Sequence, residues 1–85
     1  MTPEANLQKV IHDINNQIQI VKHKLDLVPL NRSAILKLMQ KRTSDLNVLV
    51  GHKNGTKMFR AALVDLAALL TYAAAECDAG RVGVE

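Results

Sequence analysis

Apolar residues recur along the first third of the chain at alternating spacings of four and three positions. They are Leu7, Ile11, Ile14, Ile18, Val21, Leu25 and Val28. Such a seam is typical of one face of a helix that packs against other helices. Pro29 cannot continue a helix and disfavours helical geometry at the residue before it. We therefore predict a first helix over about 3–27.

A second apolar stripe predicts a helix over about 32–50, with Asn31 or Ser33 as its cap. Its members are Ile35, Leu36, Met39, Leu46, Leu49 and Val50. Gly51 follows this helix and tolerates the left-handed geometry in which many helices end.

A third helix is predicted over about 57–79, with Thr56 as its cap and Gly80 as its terminating residue. Residues 80–85 contain two glycines, and we expect them to form a frayed tail.

The third helix is apolar around nearly its whole circumference. Between Met58 and Cys77 the plainly polar residues are Arg60, Asp65, Thr71 and Glu76. Two amphipathic helices offer too little apolar surface to cover such a helix, so we expect its remaining face to pack against other copies. Its charged residues argue against insertion into a membrane. The predicted fold is all-α: one domain over 1–85, a three-helix hairpin-type bundle assembled into a homo-oligomer through the C-terminal helix.

Composition and net charge limit the partners and the cellular compartment that we expect for this chain. Eleven Lys and Arg against eight Asp and Glu give a net charge of +3, which makes an anionic partner plausible. Cys77 is the single cysteine, so an intramolecular disulfide is excluded. No apolar run resembles an export signal or an anchor. We expect a cytoplasmic protein, in the host cytoplasm if the chain is phage-encoded, with no membrane partner.

Residues for catalysis or metal binding are not grouped along the chain. His12 and His23 would lie about 16 Å apart along one helix, too far to share an ion. Cys77 stands between two acidic residues, which raise rather than lower a thiol pKa. The glycines match no phosphate-loop pattern. We predict no enzyme activity, no metal site and no cofactor.

Basic residues offer a better candidate site. Lys57 and Arg60 lie three positions apart at the start of the third helix, where free amides also favour an anion. Lys22, Lys24 and Arg32 lie near helix ends that a hairpin brings together. Arg42 falls within the apolar stripe of the second helix, where its charge needs a partner or an anionic ligand unless its long stem reaches solvent.

The third helix also carries a short motif, an Arg followed by Ala-Leu, a Leu and an aromatic-Ala step. Its positions are Arg60, Ala62, Leu63, Leu66, Tyr72 and Ala73. The motif resembles the last helix of the phage anti-CBASS cyclic-oligonucleotide sponges, a family of small helical proteins. The resemblance covers about a fifth of the chain. It departs from the family at Ala67 and Ala68, where the family has an acidic pair, and at Ala74, where it has Asn.

That resemblance implies an oligomer that sequesters a cyclic nucleotide in pockets between subunits, with Arg60 on a phosphate. The family stacks the base on an aromatic residue of its first helix, whereas this chain has no aromatic residue before Phe59. Base stacking would then use Phe59, Tyr72 or an arginine.

Three functions follow as expectations. The first is non-catalytic sequestration of an anionic, cyclic nucleotide by a homo-oligomer. The second is a helical protein-interaction module or an inhibitor of a host protein. The third is a DNA-binding regulator, which the spread of basic residues over all three helices disfavours.

Overall fold

The computed structural model describes residues 3–26 and 28–84, and it contains three α-helices in that part of the chain. They are α1 (Pro3–Leu25), α2 (Arg32–Leu49) and α3 (Thr56–Asp78). The described residues form no strand, so the all-helical prediction is confirmed. The predicted end of α1 at residue 27 lies outside the described residues.

Local chemistry accounts for most helix ends. The Asn31 side chain accepts a hydrogen bond from the Ala34 amide at 2.7 Å and caps α2. Gly80 has a φ of 72° and ends α3 in left-handed geometry, as predicted. Gly51 lacks this geometry, and Gly55 rather than Thr56 occupies the cap position of α3.

Helix α3 lies at the centre of the fold. Asp13 on α1 contacts Arg60 on α3, and Gln17 contacts Asp65. Residue numbers rise together in these pairs, so α1 runs parallel to α3. Helix α2 precedes α3 through a short turn and runs antiparallel to it. No Cα of α1 lies within 8 Å of a Cα of α2, so the close backbone contacts of both helices are with α3.

A small aliphatic core fills the space between the helices. Ala68 and Leu69 on α3 are completely buried, Val21 on α1 is 2% exposed, and Tyr72 is 7% exposed. Partly buried residues surround them: Ile14, Ile18, Leu25, Ile35, Leu38, Met39 and Val82. Tyr72 is thus a residue of the core.

The seam of α1 is covered along only part of its length. Val21 is buried and Ile14 and Ile18 pack against the core, whereas Leu7 and Ile11 are 60% and 48% exposed. The cause is the register of α1 on α3: Asp13 lies opposite Arg60, which is close to the start of α3. The first turns of α1 therefore extend past the beginning of α3.

The C-terminal segment is docked as far as Gly83, which corrects the predicted frayed tail for residues 80–83, whereas Val84 is exposed and residue 85 lies outside the described residues. The Gly83 amide donates to the Leu30 carbonyl at 2.8 Å, and the Arg32 amide donates to the Gly83 carbonyl at 3.2 Å. Val82 packs against the core. The backbone groups of Leu30 and Arg32 at the α1–α2 loop have no hydrogen-bond partner within a helix, and the C-terminal segment supplies one.

An ion pair secures this segment to α3. Arg81 donates to both carboxylate oxygens of Glu76, at 2.6 and 2.8 Å. The pKa of Glu76 lies below its ordinary value, and the main cause is the hydrogen bond from Arg81. Burial of the carboxylate acts in the opposite direction and raises the pKa, but its effect is smaller. Because the pKa is lowered on folding, ionised Glu76 stabilises the folded chain above the ordinary carboxyl range.

We expect Glu76→Gln to lower the free energy of unfolding at neutral pH, because it removes the charge from a two-bond contact with Arg81. The difference from the wild type should disappear as the pH falls through the lowered pKa of Glu76 and the wild type loses the same charge. Denaturant unfolding across pH measures this. Asp45→Asn, which removes an exposed carboxylate of α2 away from this ion pair, is the control. A difference that does not change with pH would contradict the prediction.

Candidate functional site

Arg60, the predicted phosphate contact, is paired within its own chain. Its Nη2 donates to Oδ2 of Asp13 at 2.7 Å and so joins α3 to α1. This hydrogen bond is also the main cause of the lowered pKa of Asp13. The Arg60 side chain remains 44% exposed. An incoming phosphate would therefore share or displace a carboxylate.

Arg42 is also paired, and its partner is the residue that connects all three helices. Its Nε donates to Oδ2 of Asp65 at 2.8 Å, while the side-chain amide of Gln17 donates to Oδ1 of Asp65 at 3.1 Å. The charge within the apolar stripe of α2 is thus compensated by a carboxylate of α3. We call Gln17, Arg42 and Asp65 the three-helix junction.

Two polar grooves are lined by four of the eight predicted residues, Lys24 and Arg42 in one groove and Lys22 and Tyr72 in the other. The α1–α2 groove, about 320 Å³, is lined by Lys24, Lys41, Arg42, Asp45 and Asp65 together with apolar residues. The tail groove, about 380 Å³, has Lys22, Asp26, Tyr72, Glu76 and Arg81 in its lining. Each groove combines basic with acidic groups, so neither is a purely cationic pocket within one chain.

The remaining predicted residues lie elsewhere. Lys57 is exposed at the start of α3, and Arg32 is exposed at the start of α2, where its amide bonds to the docked C-terminal segment. Phe59 is partly buried and lines an apolar groove between α2 and α3. The eight predicted residues are therefore distributed over several surfaces of one chain and do not form a single site.

An apolar groove of about 610 Å³ lies between α2 and α3. Its apolar lining is Leu36, Met39, Leu46, Val50 and Phe59, and polar residues of α2 complete it. Leu36 is 53% exposed and Val50 is 71% exposed. Leu36 and Val50 belong to the apolar stripe predicted for the second helix, yet both are exposed, because periodicity alone does not show how wide a face the neighbouring helix covers.

The side of α3 that faces away from α1 and α2 is apolar as well. Leu63 and Leu70 are 45% and 40% exposed. Helix α3 is long and apolar enough to cross a membrane by length and composition, as core helices of soluble proteins also are, but only 28% of its most apolar 18-residue window is buried. Its own chain thus leaves much of this helix uncovered.

Sequence reasoning missed the carboxylates that hold the arginines. Asp13 and Asp65 are distant in sequence from Arg60 and Arg42, and only the packing of the helices brings the charges together. Glu76 and Arg81 are five residues apart, and that short separation was a usable signal. Among residues 3–26 and 28–84, no group of three His, Cys, Asp or Glu side chains could hold a metal ion.

No protein-family model, no curated protein and no solved structure matches this chain significantly.

We predict that Asp65→Ala destabilises the fold by about 1–3 kcal/mol, because it leaves the partly buried Arg42 and the Gln17 amide without their acceptor. Thermal or denaturant unfolding measures the loss. The matched control is Asp45→Ala, which removes an exposed carboxylate from the same α1–α2 groove and should change stability little. Equal effects of the two substitutions would show that the three-helix junction contributes nothing specific.

Proposed function

We propose that this chain is a non-catalytic helical interaction module that assembles into a homo-oligomer and binds through the apolar surface of α2 and α3. The supporting observation is the exposure of large apolar side chains on these two helices. They are Leu36, Val48, Met58, Leu63 and Leu70 on the helices and Val50 at the C-cap of α2. A small soluble protein that stays alone exposes few such side chains next to one another, and contiguous apolar patches mark interaction surfaces.

A lipid bilayer is a weaker candidate for covering α3. Arg60, Asp65 and Glu76 are each ion-paired, and these pairs hold α3 to α1, to α2 and to the docked C-terminal segment. Moving α3 into a bilayer would break the pairs and place unpaired charges in hydrocarbon, which is costly. Protein surfaces can cover the outward side of α3 while leaving the pairs intact.

The second candidate is sequestration of an anionic, cyclic nucleotide, the function that the family resemblance implies. The supporting observation is that Lys24 and Lys41 line one polar groove, while Lys22 lines the other beside Tyr72 and Arg81. The carboxylates in both grooves oppose an anion, so binding would need cationic groups from neighbouring subunits. This candidate therefore also depends on assembly.

We expect light scattering at micromolar concentrations to give a mass that is a multiple of the 9.3 kDa chain, because association removes apolar surface of α2 and α3 from water. A single 9.3 kDa species that persists as the concentration rises would contradict the proposed assembly.

If the second candidate is correct, cyclic dinucleotides or trinucleotides at saturating concentration should raise the melting temperature, because they bind only the folded oligomer. Lys24→Ala and Lys41→Ala should reduce that shift, whereas Lys53→Ala, in the exposed turn before α3, should not. The absence of a shift with every cyclic nucleotide would remove this candidate and leave the interaction module.

A further inference from the structure

The outward side of α3 carries a regular series of residues that we call the outer stripe: Leu63, Ala67, Leu70 and Ala74. Spacings of four, three and four place them on one side of the helix. Leu63 and Leu70 are substantially exposed, and Ala74 is exposed. Leucines alternate with alanines, so large side chains recur every seven residues and small ones occupy the positions between them.

This order is self-complementary when two copies of α3 pack antiparallel. Leu63 then lies opposite Ala74 of the second copy, and Ala67 lies opposite Leu70, with a two-fold axis between them. Every leucine meets an alanine, so each large side chain fills the space that a small one leaves. In a parallel pair of the same stripe, leucine would meet leucine and alanine would meet alanine, which leaves alternate layers crowded and empty.

The charges at the two ends of α3 favour the same orientation. Helix α3 has no acidic residue in its first turn and no basic residue in its last turn, although each would be favourable there. Antiparallel packing brings Arg60 of one copy to Cys77 and the exposed Asp78 of the other. The Arg60 guanidinium has five N–H donors and uses one of them on Asp13, so it can bind both carboxylates.

Apolar side chains on both flanks extend this surface. Ile20 is 47% exposed and lies seven residues after Asp13, on the flank of α1 that meets Arg60. Leu36 and Phe59 line the apolar groove on the opposite flank. A second helix on the outer stripe would therefore contact apolar side chains on each side.

We infer that the outer stripe is the binding surface for a second copy of this chain, which packs its own α3 antiparallel in the register that pairs Leu63 with Ala74 and Ala67 with Leu70. This inference rests on the proposed assembly and specifies its geometry. Both copies use the same surface, as a two-fold interface requires.

A size exchange within the stripe tests the register. Ala67→Leu adds apolar surface and would strengthen non-specific association, but in this register the new side chain meets Leu70 of the second copy and should weaken the dimer at least tenfold. The double variant Ala67→Leu with Leu70→Ala restores a large residue opposite a small one and should recover most of the affinity. Sedimentation measures the dissociation constants, and circular dichroism checks that each variant remains helical.

Further variants distinguish the proposed register from association through some other surface. Leu70→Glu should give monomers, whereas Leu7→Glu, at a more exposed apolar residue of α1 outside the stripe, should keep the wild-type mass. An oligomer that is insensitive to Leu70→Glu and to the size exchange would overturn the inference while leaving the proposed assembly in place. A wild-type chain that is monomeric would refute both.

Distance measurement tests the orientation directly. In a Cys77→Ser background, a spin label at Lys57→Cys lies near the start of α3 and away from the outer stripe. In the antiparallel register the two labelled positions are separated by about 35 Å along the helix axis. Pulsed electron resonance should report that separation. A parallel pair would bring the labels close together, and a short distance would overturn the inference.

Discussion

The junction at Asp65 is the interaction on which the arrangement of the three helices depends. The close backbone contacts of α1 and of α2 are with α3, and no Cα of α1 lies within 8 Å of a Cα of α2. Asp65 accepts one hydrogen bond from Gln17 on α1 and one from Arg42 on α2. A carboxylate has two oxygens and can accept from two directions, and here it joins both outer helices to the central one.

The same chemistry is repeated at the other arginines that the structure pairs. Arg60 joins α3 to α1 through Asp13, and Arg81 joins the C-terminal segment to α3 through Glu76. These arginines orient helices around a core of few fully buried residues. An arginine that is paired with a carboxylate can bind an anion only through its remaining N–H donors. Binding of an anionic ligand to such an arginine would therefore need further basic residues from a neighbouring copy.

The limited coverage of α3 connects the fold to the proposed function. With α1 and α2 on two sides, the third side of α3 remains exposed, and Leu63 and Leu70 lie on it. Covering this side by another copy would bury apolar surface without disturbing the three ion pairs. Both polar grooves are lined by α3 residues of the side opposite the outer stripe, so a dimer through that stripe leaves the two grooves of each chain open.

The sequence by itself determined the all-helical class, the number of helices and the bounds of α2 and α3 to within a residue or two, because periodicity, Pro29 and Gly80 act locally. It also indicated that α3 has more apolar surface than its own chain can cover. Only the tertiary structure decided which carboxylate each arginine meets, that residues 81–83 dock beside Leu30, and that Leu7, Ile11 and Leu36 are exposed. These features depend on the register between helices distant in sequence, and a pattern read along one helix does not contain that register.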